Sequence, residues 1–191
     1  MDDRTPLNPT FGALILAGGR SSRMGTDKAS LPYRGVTLLQ HMRALQATAG
    51  AEPILIAGGP DATLPDPVPF AGPVSGLCAL TRFFVDSVRR WIVVPVDMPL
   101  LRPKLLQRLA AAQCGAVSFK DHPLPLALTM DNSAQAILQR AEEKLRAGES
   151  VAIHQVLVEL EAQFLCPDPE ESAQLVNANT PEDWARMTRE D

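Results

Sequence analysis

The sequence predicts an α/β fold: one domain, built as a three-layer αβα sandwich on a mostly parallel sheet. Three observations predict it. Short apolar runs alternate with amphipathic segments along the chain, the order that βαβ units produce. A length of 191 residues fills one core well and is short for two. No repeat, low-complexity tract or clear boundary divides the chain, so residues 1–191 read as a single domain.

The elements follow in order. Ala13–Leu16 is a compact apolar run, predicted as the first strand, and it empties into a Gly/Ser/Arg loop. Thr37–Ala49 carries Leu38, Leu39, Met42 and Leu45 at helical spacing, with Gly50 as its stop. Ile54–Ala57 is the second strand. Gly58–Pro73 holds five prolines and three glycines and is a long loop, a kind that in compact domains is usually functional or disordered. Pro73–Val85 reads as a helix and Trp91–Val94 as a strand. Arg102-Pro103 opens another helix, with proline suited to the first turn. Ala116–Phe119 and Leu124–Thr129 are strands around a Lys120–Pro123 turn. Asn132–Arg146 is a helix, as is Ser150–Glu161, and Phe164–Cys166 is a short strand. Thr180-Pro181-Glu182-Asp183 starts the last helix with a capping hydroxyl, proline at the first position and acids in the first turn.

Composition narrows the function classes. Hydrophobic residues make up 46% and charged residues 21%, which is globular rather than disordered. A formal charge of −4 argues against a nucleic-acid partner. The three cysteines, Cys78, Cys114 and Cys166, have no metal-ligand or disulfide spacing and read as buried small hydrophobes in a reducing compartment. The chain opens Met1-Asp2-Asp3, acidic where a secretory signal is basic, and Phe11–Ala17 is too short to span a bilayer. A soluble, cytoplasmic protein with no membrane partner is expected.

The chemistry concentrates after the first strand, in Leu16-Ala-Gly-Gly-Arg-Ser-Ser-Arg-Met-Gly-Thr-Asp-Lys28. Gly18 and Gly19 let backbone approach a bound group closely, and successive loop N–H groups can cradle phosphate oxygens. Arg20, Arg23 and Lys28 add the charge that a triphosphate needs. The loop is neither a Walker A nor a GxGxxG motif. Its place at a strand's carboxyl end is where open α/β sheets bind ligands. A second signal is Asp97, set between the apolar run of Val93-Val94-Pro95-Val96 and Met98-Pro99. Alone, such an Asp is a cap or turn former as readily as a ligand. Beside a phosphate-binding loop it suits Mg²⁺, which takes one or two carboxylates plus phosphate oxygens.

Gly72 and Gly76 bracket a helix entry that a flat base or phosphate could approach, with a merely flexible entry as the competing reading. In Asn177-Ala178-Asn179 both amides project from one side of an extended segment; spacing alone favours their serving turn backbone. His41 and His154 fall in predicted helices, and His122 sits in a turn with its role open. No Ser/His/Asp or Cys/His arrangement is present, as suits direct nucleotidyl transfer, which needs positioning and charge rather than a protein nucleophile.

These motifs together resemble those of molybdenum cofactor guanylyltransferases. The Leu16–Lys28 loop, Gly72-Pro-Val-Ser-Gly-Leu77, Asp97-Met-Pro99 and Asn177-Ala-Asn-Thr-Pro181 stand in that family's order and spread from residue 13 to 187. Pairing Ala-Gly-Gly with Gly-Pro-x-x-Gly-Leu points to the guanylyl branch, since cytidylyl relatives typically carry Ala-Ala-Gly. The resemblance implies a Rossmann-like sheet of the nucleotidyltransferase type, with a nucleotide-binding N-terminal half and a pterin-side C-terminal half. It implies Mg²⁺-dependent transfer of GMP from GTP to the terminal phosphate of Mo-molybdopterin. Carried over by position, Leu16, Ala17, Gly18 and Gly19 contact the nucleotide and Lys28 its phosphates. Asp66 falls on a guanine- or ribose-contacting acid, and Asp97 on the Mg²⁺ ligand. Arg23, Lys28 and Asp97 are the catalytic set, and Asn177 and Asn179 lie towards the pterin. The implied partners are GTP and Mo-molybdopterin, then a molybdoenzyme or cofactor-delivery protein; a monomer is expected. One departure is Ala57-Gly58-Gly59, where some family members carry a nucleotide-contacting asparagine. The competing readings are a cytidylyl- or sugar-phosphate nucleotidyltransferase on the same fold, and a non-catalytic carrier of GTP or cofactor.

Overall fold

Strand β1 (Phe11–Leu16) is buried at every position. Its side chains divide between two cores, Ala13 and Ile15 on one face and Leu14 and Leu16 on the other. An unbroken apolar run encodes that double burial, because helices cover both faces of the sheet. The structure is a computed structural model and describes residues 11–18, 27–83 and 89–189.

After a 3₁₀ turn at Lys28–Ser30 comes a small hairpin, β2 (Pro32–Tyr33) and β3 (Val36–Thr37). Its two-residue turn places Arg34 at φ 48° and Gly35 at φ 80°, the left-handed pair that matches strand twist. Helix α1 (Leu38–Ala49) is closed by a Thr37/Gln40 capping box in front and by Gly50 at φ 95° behind. Then follow β4 (Ala51–Ala57), α2 (Pro73–Cys78), β5 (Arg90–Pro95), α3 (Pro103–Ala110), β6 (Ala116–Phe119) and β7 (His122–Thr129). The chain continues through α4 (Asn132–Arg146), α5 (Ile153–Glu159), β8 (Gln163–Leu165), α6 (Pro169–Gln174) and α7 (Pro181–Arg189).

The six strands lie in the order β4-β1-β5-β7-β6-β8, and β7 runs against the rest. Helices α1 and α3 pack into the core on one face, and α2, α4 and α5 into the core on the other. From β1 the chain moves out to β4 and then returns to β5 on the opposite side of β1. The connections therefore part at the carboxyl ends of β1 and β5, leaving the crevice where doubly wound sheets take ligands.

Several expectations are corrected. The Pro73–Val85 helix is α-helical only to Cys78 and tightens into a 3₁₀ turn over Ala79–Arg82. There Thr81 Oγ1 donates to the Cys78 carbonyl at 2.8 Å, competing with the helical ladder. Residues 84–88, which include the expected end at Val85, lie outside the described part. The Ser150–Glu161 helix is shorter, Ile153–Glu159. The loop after β4 is anchored, because Thr63 and Leu64 both donate backbone N–H groups to Ile56 and Leu64 is buried. Of the cysteines only Cys78 is buried; Cys114 is half-buried and Cys166 exposed, since it follows the edge strand β8. No described helix is long and apolar enough to cross a membrane.

Candidate active site

The crevice holds a cavity of about 390 Å³, lined by Leu16, Ala17 and Gly18 after β1 and by Pro95–Met98 after β5. Asp27, Lys28, Pro73, Asn177 and the Asp121–Leu124 segment complete its walls. The turn after β1 is fixed by Ala17 and Gly18, whose N–H groups donate to the Ala57 carbonyl at 2.8 and 3.2 Å. The turn after β5 is tied to it, with Val96 N–H donating to the Leu16 carbonyl at 3.0 Å. Val96 and Met98 are buried, so the alternating Asp97 side chain is turned towards the cavity.

Lys28 opens the 3₁₀ turn that Asp27 caps by accepting from Ala29 N–H at 3.1 Å. Its ammonium donates to Asp97 Oδ2 at 2.6 Å and to Asn179 Oδ1 at 2.9 Å. Asn177 Nδ2 donates to the other Asp97 oxygen, Oδ1, at 2.8 Å. Asp97 also anchors the tail through its backbone, its carbonyl accepting from Ala178 N–H at 2.8 Å. The Lys28 and Asp97 side chains are 21% and 14% exposed, so the pair is sheltered without being sealed. One cationic point is thus met by two oxygens from distant parts of the chain, and the carboxylate is held on both sides.

The asparagines do not serve the turn backbone that their spacing suggested. That work falls to Asp183, which accepts from Asn179 and Thr180 N–H groups, and to Thr180, which caps α7. The amides are free to reach Lys28 and Asp97. The tail is brought there by α6, against which α3 docks through Arg102–Glu170 and Arg108–Glu171 ion pairs. It is held by Trp184 of α7, which packs 5.8 Å from the Tyr33 ring.

Asp66 lies against Gly18 and Gly58, outside the cavity lining. Gly18 and Gly58 touch: a Cβ on Gly58 would fall 2.4 Å from Gly18 Cα, and one on Gly18 would fall 2.8 Å from Asp66 Oδ2. Asp66 Oδ1 is buried without a hydrogen-bond partner among the described residues, and burial raises its carboxyl above the ordinary aspartate range. Gly76, at the helix entry read either as a ligand approach or as merely flexible, packs α2 closely on the sheet: a Cβ there would lie 2.7 Å from Leu16 Cδ2. Gly19 and Arg23, with Arg20, lie outside the described residues. His122, whose role the sequence left open, lines the cavity.

No group of three or more His, Cys, Asp or Glu side chains among the described residues could hold a metal by itself. Asp97 and Asn179 do offer hard oxygens around a single positive charge. That donor set suits a cation that arrives with phosphate oxygens of its own.

The chain is similar to known proteins both in sequence and in fold. A family profile described as a MobA-like NTP transferase domain matches residues 13–160. The molybdenum cofactor guanylyltransferase of Xanthomonas euvesicatoria pv. vesicatoria (strain 85-10) is 40% identical over 189 residues, covering 96% of this chain and 97% of that protein. That of Rhizobium meliloti (strain 1021) is 34% identical over 174 residues and 78% of both chains. In fold, the chain matches a molybdopterin-guanine dinucleotide biosynthesis protein A from Archaeoglobus fulgidus with a TM-score of 0.71 at 20% identity, over 94% of this chain and 97% of that one. It matches the 2-C-methyl-D-erythritol 4-phosphate cytidylyltransferase of Thermus thermophilus with a TM-score of 0.64 at 20% identity, over 94% and 98%. With the profile spanning every strand from β1 to β7 and a relative this similar end to end, the chain belongs to the MobA-like NTP transferase family.

Proposed function

We propose that this protein transfers GMP from GTP to the terminal phosphate of Mo-molybdopterin, giving the guanine dinucleotide cofactor and pyrophosphate. The observation that carries the reading is the Lys28–Asp97–Asn177–Asn179 network at the mouth of the β1/β5 crevice. The turn at Leu16–Gly18 presents backbone to the nucleotide, and Asp66 offers its orphaned oxygen to the donors of guanine or ribose. An acceptor phosphate oxygen attacks the α-phosphorus in line, forming the new P–O bond as the bond to pyrophosphate breaks. Lys28 leaves Asp97 for the triphosphate and, with Arg23, offsets charge on the transferring group. Asp97 and Asn179 are the residues that would hold Mg²⁺, which would supply charge neutralisation at the phosphate oxygens. On this reading the first half of the chain serves the nucleotide and the second half the pterin. The reaction runs in the cytoplasm, and the product passes to a molybdoenzyme or delivery protein.

The test is a nucleotide panel with molybdopterin, Mg²⁺ and GTP, CTP, ATP or UTP, followed by pyrophosphate release. Release with GTP, lost on chelation, is expected. Release with CTP instead moves the chain to a cytidylyl role, and tight GTP binding without release favours a carrier. Asp97→Ala is expected to lower turnover by a factor of at least about 100, with its circular dichroism unchanged; near-normal turnover would remove Asp97 from the metal site.

A further inference from the structure

The cavity has a wall that the nucleotide-side residues do not explain. It is built by the reversed strand β7, whose first residues His122, Pro123 and Leu124, with Asp121 before them, line the space shared with Lys28 and Asp97. Strands β5 and β7 pair antiparallel from Arg90↔Thr129 to Val93↔Leu126. Beyond the last pair the two chain segments both reach the cavity, where His122 and Asp97 line the same space. The position is rigid. His122 pairs with Phe119 across a turn in which Asp121 takes φ 64°, and its carbonyl accepts from the hydroxyl of Ser118, a fully buried residue.

Among the described residues of the lining, Lys28, Asp97 and Asp27 are committed, and Asp121 and His122 are not. Lys28 is held by Asp97 and Asn179, and Asp27 caps the turn that carries Lys28. Asp121 adds a further carboxylate to the lining. The His122 imidazole is half-buried and has no hydrogen-bond partner among the described residues. A phosphate monoester entering there meets three carboxylates among the described residues, Asp27, Asp97 and Asp121, and gains from a donor besides Lys28. We propose that His122 binds the phosphate monoester of the acceptor and positions its attacking oxygen. This assignment rests on the guanylyltransferase reading for the identity of the acceptor, whereas its chemistry, an imidazole donating to a phosphate monoester, does not. A histidine that merely fills space on the wall would leave acceptor affinity unchanged, which separates the two roles by experiment.

The experiment compares the full chain with His122→Ala and His122→Gln. The expected result is a rise of about 10- to 100-fold in the KM for molybdopterin in the alanine variant, the loss of one charge-assisted hydrogen bond. Glutamine, which keeps a donor, falls between. The KM for GTP and the melting temperature stay at wild-type values. In parallel, methyl phosphate is titrated into wild-type protein whose nucleotide site is filled with a non-hydrolysable GTP analogue and Mg²⁺, and the imidazole ¹⁵N resonances of His122 are followed. They are expected to shift saturably. An unchanged molybdopterin KM, an equal rise in the KM for GTP, or imidazole signals indifferent to methyl phosphate would overturn the assignment. Should wild-type protein refuse molybdopterin altogether, the functional reading fails, and the methyl phosphate titration still decides His122.

Discussion

Asp66 and Lys28 show how single side chains hold the site in readiness. Burial raises the Asp66 carboxyl above its ordinary range, so the folded chain keeps that proton to higher pH than the unfolded chain does. Stability therefore falls as pH rises from the ordinary aspartate value through the raised one, and stays lower above it. Asp66→Asn is expected to stabilise the protein by about 1 kcal/mol at neutral pH while weakening GTP binding. Thermal melts should show that gain disappearing in acid; a neutral-pH loss of stability would contradict the burial argument. The Lys28 ammonium lies between Asp97 and Asn179, the two residues proposed to hold Mg²⁺. Lys28→Ala should raise the KM for GTP and let nucleotide-free protein bind Mn²⁺ more tightly than wild type, as read by water-proton relaxation. Equal Mn²⁺ affinities would mean that the ammonium does not compete with the metal.

At the scale of elements, the site depends on two strand ends lying close enough for their backbones to touch. Gly58 has φ 73°, and a Cβ there would strike Gly18 Cα. This contact gives a physical account of glycine at residue 58: a side chain there would separate the turns after β1 and β4. Gly58→Ala is expected to cost about 2 kcal/mol or more in urea denaturation and to impair nucleotide binding. Gly35→Ala is the control. Gly35 has φ 80° with open space around it, so its substitution should cost about 1 kcal/mol and leave GTP binding unchanged. Matching effects of the two variants would show that the Gly18–Gly58 contact has no special weight.

Across the whole molecule, helices on one face are joined by charge as well as by packing. Glu142 of α4 accepts from Arg82, beyond α2, and from Arg146 at 2.8 Å. The hydrogen bond from Arg82, followed by that from Arg146, holds its carboxyl below the usual glutamate range. The stabilisation is present above the ordinary glutamate value and is lost as pH falls through the lowered one. Glu142→Gln should cost about 1 kcal/mol at neutral pH, a difference that urea titrations find closing in acid; a difference independent of pH would contradict the ion-pair origin. The six strands of the main sheet, α1, α4 and the α7 cap were legible in the sequence because apolar period, caps and stops act within one turn or strand. Leu16–Gly18 and Asp97 were legible for the same reason, as residues at the ends of apolar runs. The β2–β3 hairpin and α6 were missed, being two strands of two residues each and a helix of six, too short for a period to show. Local pattern also misread the asparagines. Asn177 lies 80 residues from Asp97 and Asn179 lies 151 from Lys28, and only the docking of α6 and α7 makes them neighbours. Residue order was enough to assign most strands and helices and to mark the turns that carry charge. The strand order, the reversal of β7 that brings His122 into the cavity with Asp97, and the meeting of the tail with Lys28 came only with the folded chain. Those outcomes follow from burying both faces of one sheet at once, a condition on the whole chain that no local window contains.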